Sequence, residues 1–158
     1  MALFEEAVNC YNEACELIEM NENTQVVENT LRNCLNLVRN ILNSASTSTT
    51  TKKKRKKNEA EAEAEEIDHS QQLHVLLSRI EVLLGQIVEW KDSNEAKELF
   101  SSAITHDPRN SEALLQFARF CWKFACTTNE LSEVEHFLKQ AIEIGVEEDE
   151  EGNESTIV

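Results

Sequence analysis

The sequence predicts an all-α fold of about six helices, and three observations carry that expectation. Its 158 residues include three glycines and one proline, too few turn formers for a β-rich or α/β chain. Glu, Leu, Ala and Asn dominate the composition, a bias toward helix. Apolar residues recur three and four positions apart along most of the chain. This length suits one modest core.

The elements follow in order. Leu3, Phe4, Ala7, Val8, Tyr11, Ala14, Cys15 and Ile18 place a first helix over 3–20. "NENT" at 21–24 breaks it, with Thr24 as the expected cap of a second helix over 25–42. Residues 43–66 hold no large apolar side chain and predict a disordered linker, in which the Glu-Ala alternation leaves a helical extension open. Leu73, Leu76, Leu77, Ile80, Leu83, Leu84, Ile87 and Val88 mark a long helix from about 67 to Trp90. Asp92 and Ser93 are candidate caps for a helix ending near His106, and Asp92-x2-Glu95 has capping-box spacing. Pro108 marks the next turn. Further helices are expected over 110–126 and 130–145, with Gly145 as a C-cap and a disordered acidic tail from Glu147. The chain thus divides into a helix pair (1–42), a linker (43–66), a helical region (67–146) and a tail (147–158).

The net charge of −15 argues against direct nucleic-acid binding. The charge is uneven. Lys52, Lys53, Lys54, Arg55, Lys56 and Lys57 form one basic run, while 59–68 and 147–154 are acidic. The basic run has the form of a nuclear-import signal beside Ser and Thr, or else a partner for the acidic segment after it. The start shows no signal-peptide pattern, and no run is long and apolar enough for a membrane span. Five cysteines lie in helical patterns and read as reduced thiols, so a nuclear or cytoplasmic location is expected.

Ala96-x3-Phe100-x2-Ala103-x4-Pro108 resembles the second helix of a tetratricopeptide (TPR) repeat with its closing proline. Small residues there let two helices approach while Phe100 fills the gap between them. Leu84-Gly85-x2-Val88 stands where that family places its first-helix motif, and Leu114-x2-Phe117-Ala118-x2-Cys121 fits the same frame. Val134-x3-Leu138-x2-Ala141 repeats the second-helix frame 38 positions after Ala96, with Gly145-Val146 where a proline is expected. The resemblance covers 77–146. In the N-terminal region Ala7-x3-Tyr11-x2-Ala14 fits a second-helix frame.

The resemblance implies antiparallel helix hairpins and a concave groove for a partner protein or peptide, lined by first helices. On this sequence that groove would present Arg79, Val82, Gln86 and Trp90, then Glu112, Leu115, Arg119, Trp122 and Lys123. Arg119, Trp122 and Lys123 together suit an acidic or aromatic peptide; alternatively Trp122 packs against a neighbouring helix. The last helix has a wide apolar arc for a terminal helix. Either the N-terminal helices cover it, or a partner does, or the chain self-associates through residues such as Phe137 and Ile144.

The sequence lacks a phosphate-binding glycine loop, a His-Glu-x2-His motif and a nucleophile elbow. Cys121-x4-Cys126 with His136 has no zinc-knuckle spacing, and these thiols, like Cys10 and Cys15, read as buried. His106 reads as a residue of a helix C-terminus. The expectation is a non-catalytic adaptor without cofactor or metal. The alternative is an acidic nuclear chaperone for basic clients such as histones or ribosomal proteins. The last four residues also match a short C-terminal motif read by strand addition.

Overall fold

The computed structural model describes residues 2–48, 60–124 and 128–153. Their regular structure is helical throughout: α1 (Ala2–Glu19), α2 (Thr24–Ser48), α3 (Ala60–Val88), α4 (Ser93–His106), α5 (Ser111–Phe124) and α6 (Thr128–Asn153).

The ends are set by local chemistry. Helix α1 stops where Asn21 turns left-handed, φ 54°. The Glu22 N–H then donates to the Leu17 carbonyl and the Asn21 N–H to that of Ile18, both at 3.0 Å. The α2 cap is Asn23, not Thr24, since the Asn23 Oδ1 accepts the Gln25 N–H at 2.8 Å. Asp92 caps α4 as expected, accepting the Asn94 and Glu95 N–H groups, each at 3.0 Å. Asp107 is extended, as a residue before proline must be, and its N–H closes α4 on the Ala103 carbonyl. Asn110 accepts the Ala113 N–H at 3.0 Å to start α5.

Three boundaries differ from the sequence expectation. Helix α2 continues to Ser48 and α3 begins at Ala60, so helix enters the expected linker 43–66 from both sides. Ala and Glu both favour helix, which accounts for the early start of α3. Residues 49–59, with Lys52–Lys57, lie outside the described residues. Gly145 caps nothing, because α6 runs on to Asn153 through most of the acidic tail. No described glycine has a positive φ, and the following run of glutamates favours helix. The last residues, 154–158, lie outside the described residues.

The cross-helix contacts fix the arrangement. Cys34 and Cys10 of α2 and α1 reach the carbonyls of Ala7 and Thr30. On α3, Glu81 meets Arg39 of α2, while Lys91, just beyond the helix, meets Glu28. Glu81 and Ser78 of α3 meet His106 and Ala103 of α4, and Phe100 of α4 meets Phe120 of α5. In α1–α2 and α2–α3 one partner's number rises as the other's falls, so these neighbours run antiparallel. Gly85 against Phe100, beside Glu81 against His106, gives α3–α4 the same sense. Helices two apart also touch, α1 with α3 and α3 with α5. Phe4 meets His69, and Tyr11 lies near Arg79, so α1 runs parallel to α3. That puts α1 in one series with α3 and α5, whereas its sequence frame reads as a second helix.

The core is continuous from α1 to α5 and joins the N-terminal pair to the later helices. Ala7, Leu31, Cys34, Ile80, Leu84, Ala96 and Phe100 are all fully buried in it. Gly85 makes room for Phe100: a Cβ there would lie 2.7 Å from the ring. Among the described residues α6 meets only α5, so α1 and α2 do not cover the last helix as expected. They spend their apolar faces on α3 and its neighbours. Phe137 packs edge-on against Phe117 at 5.1 Å and Ile144 is half-buried, so both residues expected to mediate self-association are partly covered within the chain.

Candidate functional site

The parallel helices α3 and α5 bring together six of the nine expected groove residues, Arg79 through a shared cleft and Gln86, Glu112, Arg119, Lys123 and Trp90 through a run of contacts. Arg79 and Glu112 line one cleft of about 340 Å³ with Tyr11, Asp107 and Arg109. Glu112 then accepts from Gln86 at 3.3 Å and from Gln116 at 2.7 Å. Gln116 accepts from Arg119 Nε at 2.8 Å. Arg119 donates to Glu89 at 2.7 Å, and Lys123 bonds the other oxygen of the same carboxylate. The Lys123 ammonium also stands 4.8 Å from the centre of the Trp90 ring.

Leu115 and Trp122 complete the set on the open side of α5. Trp122 is 64% exposed and Trp90 84%, so neither indole is a packing residue of the stack. Val82 lines the cleft beside Arg79 and Glu112 but presents almost no surface there. It is buried against Ala103 and Ala113, which close α3, α4 and α5 together.

Sequence reasoning misses three members of the site: Glu89, Gln116 and Tyr11. Glu89 matters most. Its side chain is 5% exposed and holds two of the three cations expected in the groove, Arg119 and Lys123. Burial pushes its carboxyl up, but hydrogen bonds from Lys123 and Arg119, with their charges, outweigh burial and hold it below the usual range. The apolar period does not mark it, and its partners Arg119 and Lys123 lie 30 and 34 positions further along the chain. Tyr11 is half-buried, and desolvation, then its hydrogen bond and proximity to Cys15, push its phenol up to about 12.

Two further carboxylates occupy seams in the same way. Glu28 takes Lys91 at 2.5 Å and Arg32 at 3.1 Å, and Arg32 reaches on to Glu95 of α4 at 2.7 Å. Glu81 is fully buried and is met by Arg39 and Ser102 at 3.0 Å and by His106 at 2.9 Å. His106 is therefore a cross-helix partner of a buried carboxylate, beyond its place in the last turn of α4. Cys10, Cys15 and Cys121 are half-buried and only Cys34 is fully buried, so the thiols are less enclosed than their patterns suggest. Cys126 lies outside the described residues.

Among the described residues no cluster of three or more His, Cys, Asp or Glu has the arrangement of a metal site. No described helix is long and apolar enough to cross a membrane. No family model matches the chain, and no curated protein matches it.

Proposed function

We propose that this chain is a TPR-like, non-catalytic adaptor whose α3–α5 face receives a segment of a partner protein. The observation that carries the reading is the pair of exposed indoles, Trp90 and Trp122, near the C-terminal ends of two parallel helices, with Lys123 over the Trp90 ring. Leaving two large aromatic side chains in water has no folding benefit, and such rings are favoured anchors at protein interfaces. Antiparallel neighbours, parallel contacts between helices two apart and the Gly85–Phe100 fit all support TPR-like packing.

The partner's chemistry shifts relative to the sequence expectation. Arg119 and Lys123 share the single Glu89 carboxylate, which offsets one of their two charges and ties both side chains down, so less of their charge is open to an acidic peptide. A segment with apolar and basic residues fits better: Lys123 already lies over the Trp90 ring, but the exposed Trp122 ring attracts a cation, and the chain as a whole is acidic. This also favours the second reading, an acidic chaperone for basic clients such as histones or ribosomal proteins, in which the acidic segments provide the affinity. Lys52–Lys57 would act as a nuclear-import signal, giving a nuclear and cytoplasmic distribution. Replacing the run with alanines should then leave a fluorescent fusion cytoplasmic.

An affinity capture from nuclear and cytoplasmic extract at low and high salt separates the two readings. Wild type is compared with Trp90→Ala/Trp122→Ala and with a chain whose acidic residues at 147–151 become amides. The adaptor reading expects partners that survive salt and are lost only with the tryptophans. Basic clients that leave with salt or with the acidic run, and ignore the tryptophans, would overturn it in favour of the chaperone.

A further inference from the structure

The α1–α2 seam holds a second kind of chemistry. Cys34, fully buried on α2, donates to the Ala7 carbonyl of α1 at 3.5 Å. Cys10, half-buried on α1, donates back to the Thr30 carbonyl of α2 at 3.9 Å. Each thiol thus points across the seam toward the other helix, Cys34 to the turn of α1 that precedes Cys10 and Cys10 to the turn of α2 that precedes Cys34. Ala7 and Ala14, both fully buried, let the two helices approach closely at this level. Cys15 also lies on α1, but five residues after Cys10, which turns it to another side of the helix, beside Tyr11.

We infer that Cys10 and Cys34 form an oxidisable dithiol that a peroxide converts into a disulfide joining α1 to α2. Cys10 is the entry point, because it is only half-buried while Cys34 is fully closed off. Burial, then the neighbouring Cys10, also pushes the Cys34 thiol well above the usual range and keeps it protonated. The Cys10 thiolate attacks the peroxide: an S–O bond forms, the O–O bond breaks, and the departing hydroxide leaves as water after taking a proton. Cys34 then attacks the Cys10 sulfenic acid: the S–S bond forms, the S–O bond breaks, and a second water carries off the Cys34 proton. Two thiols are oxidised and one peroxide is reduced. The bond closes the chain between residues 10 and 34, fixing the first hairpin covalently.

The test treats the reduced full-length chain with hydrogen peroxide, then maps its peptides by mass spectrometry without reducing agent. The expected product is an intramolecular Cys10–Cys34 linkage that dithiothreitol reverses. It should persist in Cys15→Ser, vanish in Cys10→Ser, and give an oxidised chain that melts above the reduced one. The same treatment in urea controls for geometry and should scatter the linkages among the cysteines. Oxidation of Cys10 to sulfinic acid without a linkage, pairing with Cys15, linkage between chains, an unchanged pattern in urea or a lowered melting temperature would each overturn the inference.

Discussion

Glu89 decides what the cations around it can do. It is a buried carboxylate with two partners, Arg119 and Lys123, each still about 40% exposed or a little less. Removing a buried partner of an ion pair costs about 3–5 kcal/mol when both groups are enclosed. Here the cations recover water, so Glu89→Gln should cost only about 1–2 kcal/mol, read as a drop in the urea midpoint. The pH dependence has a definite sign. Glu28 and Glu89 are both held below the usual 4.5, so on acidification the unfolded chain takes up protons first. The stability they contribute is complete above that value and is lost as pH falls through their folded values. Urea midpoints measured from neutral pH into acid should fall below about pH 4.5, and less steeply for Glu89→Gln. The residues that sequence reasoning located best are those whose position follows from helical spacing alone: Ala96, Phe100 and Ala103 are all fully buried, as their spacing requires. Glu89 was hidden because a charged residue in a helical pattern reads as solvent-facing until the neighbouring helix is placed.

At the scale of the element, two glycines should respond to alanine with opposite signs. Both lie inside helices, where alanine is worth about 0.5–1 kcal/mol over glycine. At Gly145 a Cβ meets nothing within 4 Å, so Gly145→Ala should raise the melting temperature of the chain. At Gly85 the same atom would stand 2.7 Å from the buried Phe100 ring. Overpacking of that kind costs about 1–3 kcal/mol, so Gly85→Ala should lower it, and Phe100→Leu should soften the loss in the double variant. Helix positions were legible from the apolar period, whereas several ends were not. Asn23 took the cap from Thr24, and α6 ran past Gly145, because a polar or acidic stretch carries no apolar period to show where helix stops. The partner of α6 was also illegible: a wide apolar arc shows that a helix needs cover, not which helix supplies it.

For the whole molecule, charge and core tell a connected story. Among the described residues six cations, Arg32, Arg39, Lys91, Arg119, Lys123 and Lys139, sit in ion pairs with glutamates. Most of these pairs lie at helix seams, so much of the scarce positive charge is used in assembling the stack and the remaining surface is acidic. Because the core runs unbroken from α1 to α5 while, among the described residues, α6 meets only α5, protection should be graded. Hydrogen exchange should show slow amides in α3 and α4 and faster ones in the C-terminal half of α6; uniform protection across the stack would contradict that arrangement. The pairing of α1 with α3 was beyond sequence reasoning, since the frame around Tyr11 reads as a second helix and puts α1 in the other series. The exposure of the two indoles has one more consequence. They are the chain's only tryptophans, and both face water. Intrinsic fluorescence is therefore nearly silent about the core. It works as a label confined to the α3–α5 face, shifting to the blue when something dry settles there and changing little when the rest of the fold tightens or loosens.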